Sequence, residues 1–193
     1  MKEKRKDLTP PYARFLVHLT RPFPDFDFSF IRPLRQKAVE LVHLRQGDRV
    51  LDMGCGMGGS FPYLVRAVGA SGEVVGVEIS PEVTINARRR IERNKWTNVQ
   101  VIEADARTGQ LTGTFDGALM FAAPDVYASE EALENIFPHL RDNARVVAFG
   151  VKTSSSRSGR ILNAFLRMVV SKLSFPTTPT PDYEPMANVG EAR

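Results

Sequence analysis

The chain has 193 residues, 42% of them hydrophobic and 25% charged, the balance of one globular domain able to bury a core. No apolar run approaches the roughly 20 residues needed to cross a bilayer. Its one cysteine, Cys55, excludes an internal disulfide and most cysteine-based metal sites, so no metal is expected.

The net charge of +4 raises nucleic acid or an anionic membrane as a partner. Basic residues gather before Asp7 and in Arg88-Arg89-Arg90, with no RNA-module pattern around them. They read as a solvated helix face and a frayed tail, and a nucleic-acid partner is not expected. The charged N-terminus is followed by no apolar signal core, so a cytoplasmic location is expected.

In chain order, residues 1–30 are irregular and aromatic, with Tyr12, Phe15, Phe23, Phe26, Phe28 and Phe30 broken by Pro22 and Pro24. An amphipathic helix then carries Leu34, Ala38, Leu41 and Val42. Arg49 to Asp52 forms a strand that runs into a glycine loop. Ser60 is placed to cap a helix over residues 61–68, with Pro62 in its first turn and Gly69 as the stop. Glu73 to Ile79 reads as a buried strand, and Ser80-Pro81 opens a helix with an inner stripe of Val83, Ala87 and Ile91, the three arginines mostly facing solvent. Asn98 to Ile102 and Phe115 to Phe121 are further strands. Ser129 with Glu130 and Glu131 caps a helix bearing Leu133, Ile136 and Phe137, ended by Pro138. Arg145 to Val151 is a fifth strand, a basic amphipathic helix follows over 158–173, and residues 174–193 form a proline-rich tail. Strands alternating with helices imply a doubly wound parallel sheet, whose ligands bind beyond the carboxyl ends of the strands.

The loop Gly54-Cys55-Gly56-Met57-Gly58-Gly59 lies at such an end. Its glycines satisfy a dinucleotide fingerprint, so a nicotinamide-dependent oxidoreductase competes for it. Glu78, nineteen positions past Gly59, suits ribose hydroxyls in either case. Asp52 separates the two readings. A carboxylate beside the loop repels a pyrophosphate but suits a cationic ligand with an α-amino group and a sulfonium. Asp105, after the third strand, is positioned to accept from an adenine amino group. The oxidoreductase reading leaves Asp52 without a role, and no Tyr-x-x-x-Lys pair follows.

These segments resemble the motifs of class I S-adenosylmethionine-dependent methyltransferases: VLDMGCGMGGS the first, VVGVEIS the one after it, VIEADA the second and FDGALMFAAPDVY the fourth. The likeness covers residues about 30 to 173. It implies a Rossmann-like α/β sheet of order 3-2-1-4-5, with Asp52, Gly54, Cys55 and Gly56 around the amino-acid end of the cofactor. Glu78 would meet the ribose and Asp105 with Ala106 the adenine, with Ile79 in the same cofactor set. Phe121, ending strand four, completes the cofactor set, and the product would be S-adenosylhomocysteine. Two departures stand out. Asp142-Asn143-Ala144 replaces the usual glycine turn before strand five, and the hairpin that normally closes the sheet is missing. Either a second subunit in a homo-oligomer or residues beyond this sequence are therefore expected to cover the strand-five edge.

The acceptor is harder to read, because methyl transfer from a sulfonium asks mainly for positioning. Ala122-Ala123-Pro124-Asp125 lacks the motif of amine-methylating enzymes, and Cys55 is a small loop filler rather than a nucleophile. The aromatic segment 1–30 reads equally as a lid, with Tyr12, His18, Asp125 and Tyr127 as candidates to meet the acceptor, or as core phenylalanines with polar residues at the surface. The whole chain looks similar to the quinone, sterol and phospholipid branch. The basic helix at 158–173 reads first as the covering helix after strand five, with peripheral membrane contact as the alternative, and together these lead to the expectation of a small, partly apolar acceptor. A non-catalytic S-adenosylmethionine-binding module and an RNA methyltransferase are the remaining alternatives.

Overall fold

Valine, isoleucine and phenylalanine crowd the strand segments in short runs without strict alternation, the composition of strands covered on both faces. In the computed structural model, which describes residues 31–150, five such segments pair in parallel in the order β3-β2-β1-β4-β5. They are β1 (Arg49–Met53), β2 (Glu73–Glu78), β3 (Val99–Glu103), β4 (Phe115–Phe121) and β5 (Leu140–Phe149). The helices are α1 (Arg32–Val42), α2 (Phe61–Val68), α3 (Pro81–Asn94), α4 (Pro124–Tyr127) and α5 (Glu130–Ile136). The expected α/β fold and strand order are both present. The order reverses between β1 and β4, the point at which the loops leaving the two strands part and a crevice opens.

Alternate residues of each strand feed opposite cores. Val50 and Val74 join Ala38, Val42, Phe61 and Leu64 on one face. Leu51, Met53, Val75 and Val77 join Phe115, Ala132 and Ile136 on the other. Each fully buried Val or Leu of this kind contributes about 1.5–3 kcal/mol.

Several local expectations shift. On α1 the buried stripe is Ala38, Val39 and Val42, while Leu34 and Leu41 remain 47% and 45% exposed. One position around a helix is about 100° of rotation, and the smaller side chains are the ones turned to the sheet. On α3 the buried line is Thr84, Ala87 and Arg90 rather than Val83, Ala87 and Ile91. Arg90 is thus buried at 7% exposure, whereas Arg88 and Arg89 are exposed as expected.

Ser129 caps α5, its Oγ accepting from the Ala132 amide at 3.2 Å. Phe137, beyond that helix in a 3-10 turn (Phe137–His139), is exposed rather than core. Strand β5 begins five residues earlier than expected. Its register with β4 steps from Phe115↔Leu140 to Gly117↔Arg145, so Asp116 alone stands opposite the four residues from Arg141 to Ala144. Asp142-Asn143-Ala144 is therefore a bulge within the strand, and Asn143 adopts φ 67°, a left-handed conformation that asparagine tolerates better than most residues.

Among the described residues no helix is long and apolar enough to cross a membrane. The segment 1–30 with Tyr12 and His18, the helix expected over 158–173, and the tail lie outside the described residues.

Candidate functional site

The chain leaves β1 through a loop in which Gly54 and Gly56 both take positive φ. Gly54 has φ +70°, and a Cβ there would stand 2.6 Å from the Ala123 Cβ at the end of β4. The amides of Gly54 and Cys55 both donate to the Val77 carbonyl, at 2.9 and 3.0 Å, tying the loop to β2. Gly56 has φ +57°, but a Cβ there would meet nothing within 4 Å. One glycine is demanded by packing; the other faces open space.

Asp52, on β1 just before this loop, is 1% exposed, and its Oδ2 has no hydrogen-bond partner. Burial pushes its carboxyl up to about 7, against the pull of the Arg35 guanidinium and the Ser60 hydroxyl, with Glu78 adding to the rise. A buried carboxylate with an unused oxygen is a poor structural element but a good receptor for a cation.

Glu78 ends β2. Its Oε2 accepts from the Gly56 amide at 3.1 Å and its Oε1 from the Ser80 amide at 2.9 Å. Burial raises its pKa, and the two amides oppose the rise. Each carboxylate oxygen has two lone pairs, so each retains one for a further donor. Ile79 follows with its side chain partly exposed at the strand end.

Asp105 lies beyond β3 in a fork with Arg107. The Arg107 Nε donates to Oδ1 at 2.9 Å and a terminal nitrogen to Oδ2 at 2.6 Å, and the Arg107 amide also donates to Oδ1 at 2.9 Å. Arg107 accordingly holds Asp105 below the ordinary carboxylate range. Ala106 packs beside it against the second core.

Asp125 on α4 is partly buried, and burial raises its pKa. Tyr127 ends the same helix with its hydroxyl close against Gly150. Phe121 stacks on Phe149 with ring centroids 4.6 Å apart, and the Arg35 guanidinium lies 4.4 Å over its ring, so protein groups engage its faces. The Cys55 thiol is buried against Gly76, and burial pushes its pKa well up.

Two site features were not anticipated. Ala122, where β4 turns toward α4, has φ +58°, a strained value for a residue with a Cβ. Arg35 reaches from α1 to the loop, its terminal nitrogen donating to the Ser60 Oγ at 3.1 Å, and that hydroxyl does not cap α2 as expected. Three residues before Ala38, Arg35 sits on the stripe that faces the sheet, and a charge on that stripe was the available signal.

The family model described as Protein-L-isoaspartate(D-aspartate) O-methyltransferase (PCMT) matches residues 32–135, more than half of the chain. The 23S rRNA (uracil(1939)-C(5))-methyltransferase RlmD of Acinetobacter baumannii is 44% identical over 99 residues, covering 49% of this chain and 21% of that protein. The protein-L-isoaspartate O-methyltransferase of Pyrobaculum islandicum is 31% identical over 130 residues, covering 65% and 63%. A solved protein-L-isoaspartate O-methyltransferase structure superposes with a TM-score of 0.53 at 30% identity, covering 60% of this chain and 35% of that one. The chain thus spans less than two thirds of the length of each of these relatives.

The class I methyltransferase fold and S-adenosylmethionine as cofactor stand with these matches. The residues present fit that cofactor: an unpartnered buried carboxylate at Asp52, lone pairs at Glu78 and open space at Gly56. The partner expectation is corrected. These relatives, at 30% identity or more, carry the names of protein-isoaspartate and rRNA methyltransferases, and an rRNA methyltransferase at 44% identity removes the ground for setting nucleic acid aside. The charge pattern was too weak a guide, because one catalytic fold serves many acceptors and composition does not report which. With its model matched over residues 32–135, the chain belongs to the protein-L-isoaspartate(D-aspartate) O-methyltransferase (PCMT) family.

Proposed function

We propose that this protein transfers the methyl group of S-adenosylmethionine to a carboxylate oxygen of a protein acceptor, of the isoaspartyl kind. The buried Asp52 carboxylate with its unpartnered Oδ2 beside the glycine loop carries the cofactor part of the reading, and the likeness to protein-L-isoaspartate O-methyltransferases supports the acceptor part. In it Asp52 receives the ammonium of the cofactor, Glu78 the ribose hydroxyls, Ile79 a face of the purine, and Asp105 with Ala106 the adenine edge. Bound S-adenosylmethionine supplies a methyl group already activated by its sulfonium, and a carboxylate acceptor is already a nucleophile. The site then needs no general base, only alignment and exclusion of water. Asp125 and Tyr127 stand on α4, at the strand ends where an acceptor would approach.

A nucleic-acid acceptor is the second reading, favoured by the likeness to the rRNA enzyme. Methylation at a pyrimidine C5 calls for a thiolate that first adds to the ring. Cys55, the one cysteine, is buried in the cofactor loop with its thiol pKa pushed well up, and does not meet that need. Transfer of labelled methyl from S-adenosylmethionine tests both readings. An isoaspartyl peptide should be labelled and its ordinary aspartyl counterpart should not. Label in a ribosomal RNA fragment, with none in the isoaspartyl peptide, would overturn the proposal in favour of the second reading.

A further inference from the structure

The loop that carries Asp105 is fixed to the fold by a helix side chain. Asn135 lies on α5 beside Ile136 and three residues after Ala132, both fully buried against the sheet. Its side-chain nitrogen donates to the Ala106 and Gly109 carbonyls, each at 2.9 Å and 29 and 26 residues away in the chain. Two carbonyl acceptors can be met only by the nitrogen, so both of its hydrogens are committed and the amide has one orientation. The Ala106 carbonyl and the Arg107 amide belong to one planar peptide unit. That amide donates to the Asp105 Oδ1 at 2.9 Å. A chain of hydrogen bonds therefore runs from α5 through a single peptide to the carboxylate, and such chains polarise and strengthen their members. The Thr108 and Gly109 amides close the same loop on the Asp105 carbonyl, at 3.2 and 2.7 Å. The Arg107 guanidinium also grips Asp105, but it is itself exposed and follows the carboxylate rather than fixing it.

We infer that Asn135 is a positioning residue for base selection, acting through the peptide between Ala106 and Arg107 on the direction of the Asp105 carboxylate. This rests on the S-adenosylmethionine reading above, in which Asp105 meets the adenine edge. The amine of adenine offers its hydrogens in the plane of the base, and a hydrogen bond weakens steeply once its donor and acceptor fall out of line. Without Asn135 that peptide is free to rotate, the carboxylate turns with it, and the preference for a base bearing an amine falls. Base selection thus depends on α5, the helix that follows the acceptor-side residues Asp125 and Tyr127 in the chain.

The test compares, by calorimetry, S-adenosylhomocysteine with S-inosylhomocysteine, which carries a carbonyl where adenine carries its amine. Wild-type protein should favour the adenine ligand. Asn135→Leu, close to asparagine in shape but without donors, should weaken S-adenosylhomocysteine about tenfold and leave the inosine analogue within about twofold. Asn135→Asp, which sets an acceptor against the two carbonyls, should show the same pattern, and Asn135→Gln should recover part of the loss. A partly unfolded variant changes the binding stoichiometry and not the ratio of the two affinities. In an Asp105→Ala background, Asn135→Leu should cost less than about a further twofold, because the group it positions is gone. Equal losses for both ligands, no loss for either, or an undiminished loss in the Asp105→Ala background would overturn the inference. Wild-type protein that binds neither ligand would sink the cofactor reading and this inference with it, an outcome distinct from a failure of Asn135 alone.

Discussion

The Gly56 amide donates to the Glu78 Oε2 at 3.1 Å, so the open glycine of the cofactor loop is pinned to the carboxylate that ends the neighbouring strand. The same side chain also accepts from the Ser80 amide, which places it under two backbone segments at once. Glu78→Ala should therefore act on the fold as well as on binding. Losing the acceptor of two amides should cost about 1–3 kcal/mol of stability, read as a lowered denaturation midpoint. S-adenosylhomocysteine affinity should fall more than tenfold in calorimetry, and Glu78→Gln should lie between. A variant of wild-type stability with full affinity would remove Glu78 from the site.

Asp52 trades stability for binding. Its pKa is raised in the folded protein to about 7, so the fold favours the neutral acid. The stabilisation this provides is present in full below about pH 4, the unfolded value, and is lost as pH rises through 7. Above pH 7 the unliganded protein carries a buried charge. Asp52→Asn should stabilise it at pH 8 by on the order of 2 kcal/mol, with a much smaller gain at pH 5, while weakening S-adenosylhomocysteine more than tenfold. An equal gain at both pH values would show that charge is not the cause.

Gly54 and Gly56 separate packing from ligand space. Gly54→Ala would place its Cβ 2.6 Å from Ala123 at a positive φ. It should destabilise by about 1–3 kcal/mol through overpacking, with further cost from the dihedral. Gly56→Ala meets no neighbour within 4 Å, so only its φ of +57° costs stability, about 1 kcal/mol. Its binding loss should be the larger of the two relative to its stability loss. Thermal melts beside calorimetry check this, and a Gly56→Ala protein with wild-type affinity would contradict the assignment of that space to the ligand.

Asp105 and Arg107 form an exposed pair whose worth to the fold is below about 1 kcal/mol. Arg107→Ala should leave stability nearly unchanged and S-adenosylhomocysteine affinity within about threefold, because it also frees Asp105 oxygens that the adenine amine can use. Asp105→Ala should weaken binding about tenfold, the loss of one charged hydrogen bond in a partly wet site. The reverse ranking would assign the adenine contact to Arg107.

The strands, the helix starts at Pro81 and Ser129, and the parallel architecture were legible because they follow from short-range chemistry. β-branched runs, a serine cap and a proline in a first turn act within a few residues. The carboxylates were legible as well: Asp52, Glu78 and Asp105 each sit where a strand ends, a position that local pattern reveals. Burial of individual positions was not. Leu34 and Leu41 are exposed and Arg90 is buried because the rotation of a helix about its axis is settled by the surface it lies on. The β5 bulge escaped notice because register is a property of two strands, and the segment Asp142-Asn143-Ala144 shows its role only against Phe115 and Gly117.

By itself, the sequence determined the α/β class, the order in which strands and helices alternate, and the glycine loop between the first strand and its helix, since each is written in local periodicity and residue type. Only the tertiary structure decided that Asp52 keeps an unpartnered oxygen, that Glu78 already serves two amides, and that Arg35 reaches the first turn of α2. Those facts depend on groups as far as 25 residues apart being brought to one point, and solvent exclusion there sets both the charge of the carboxylate and its readiness for a ligand.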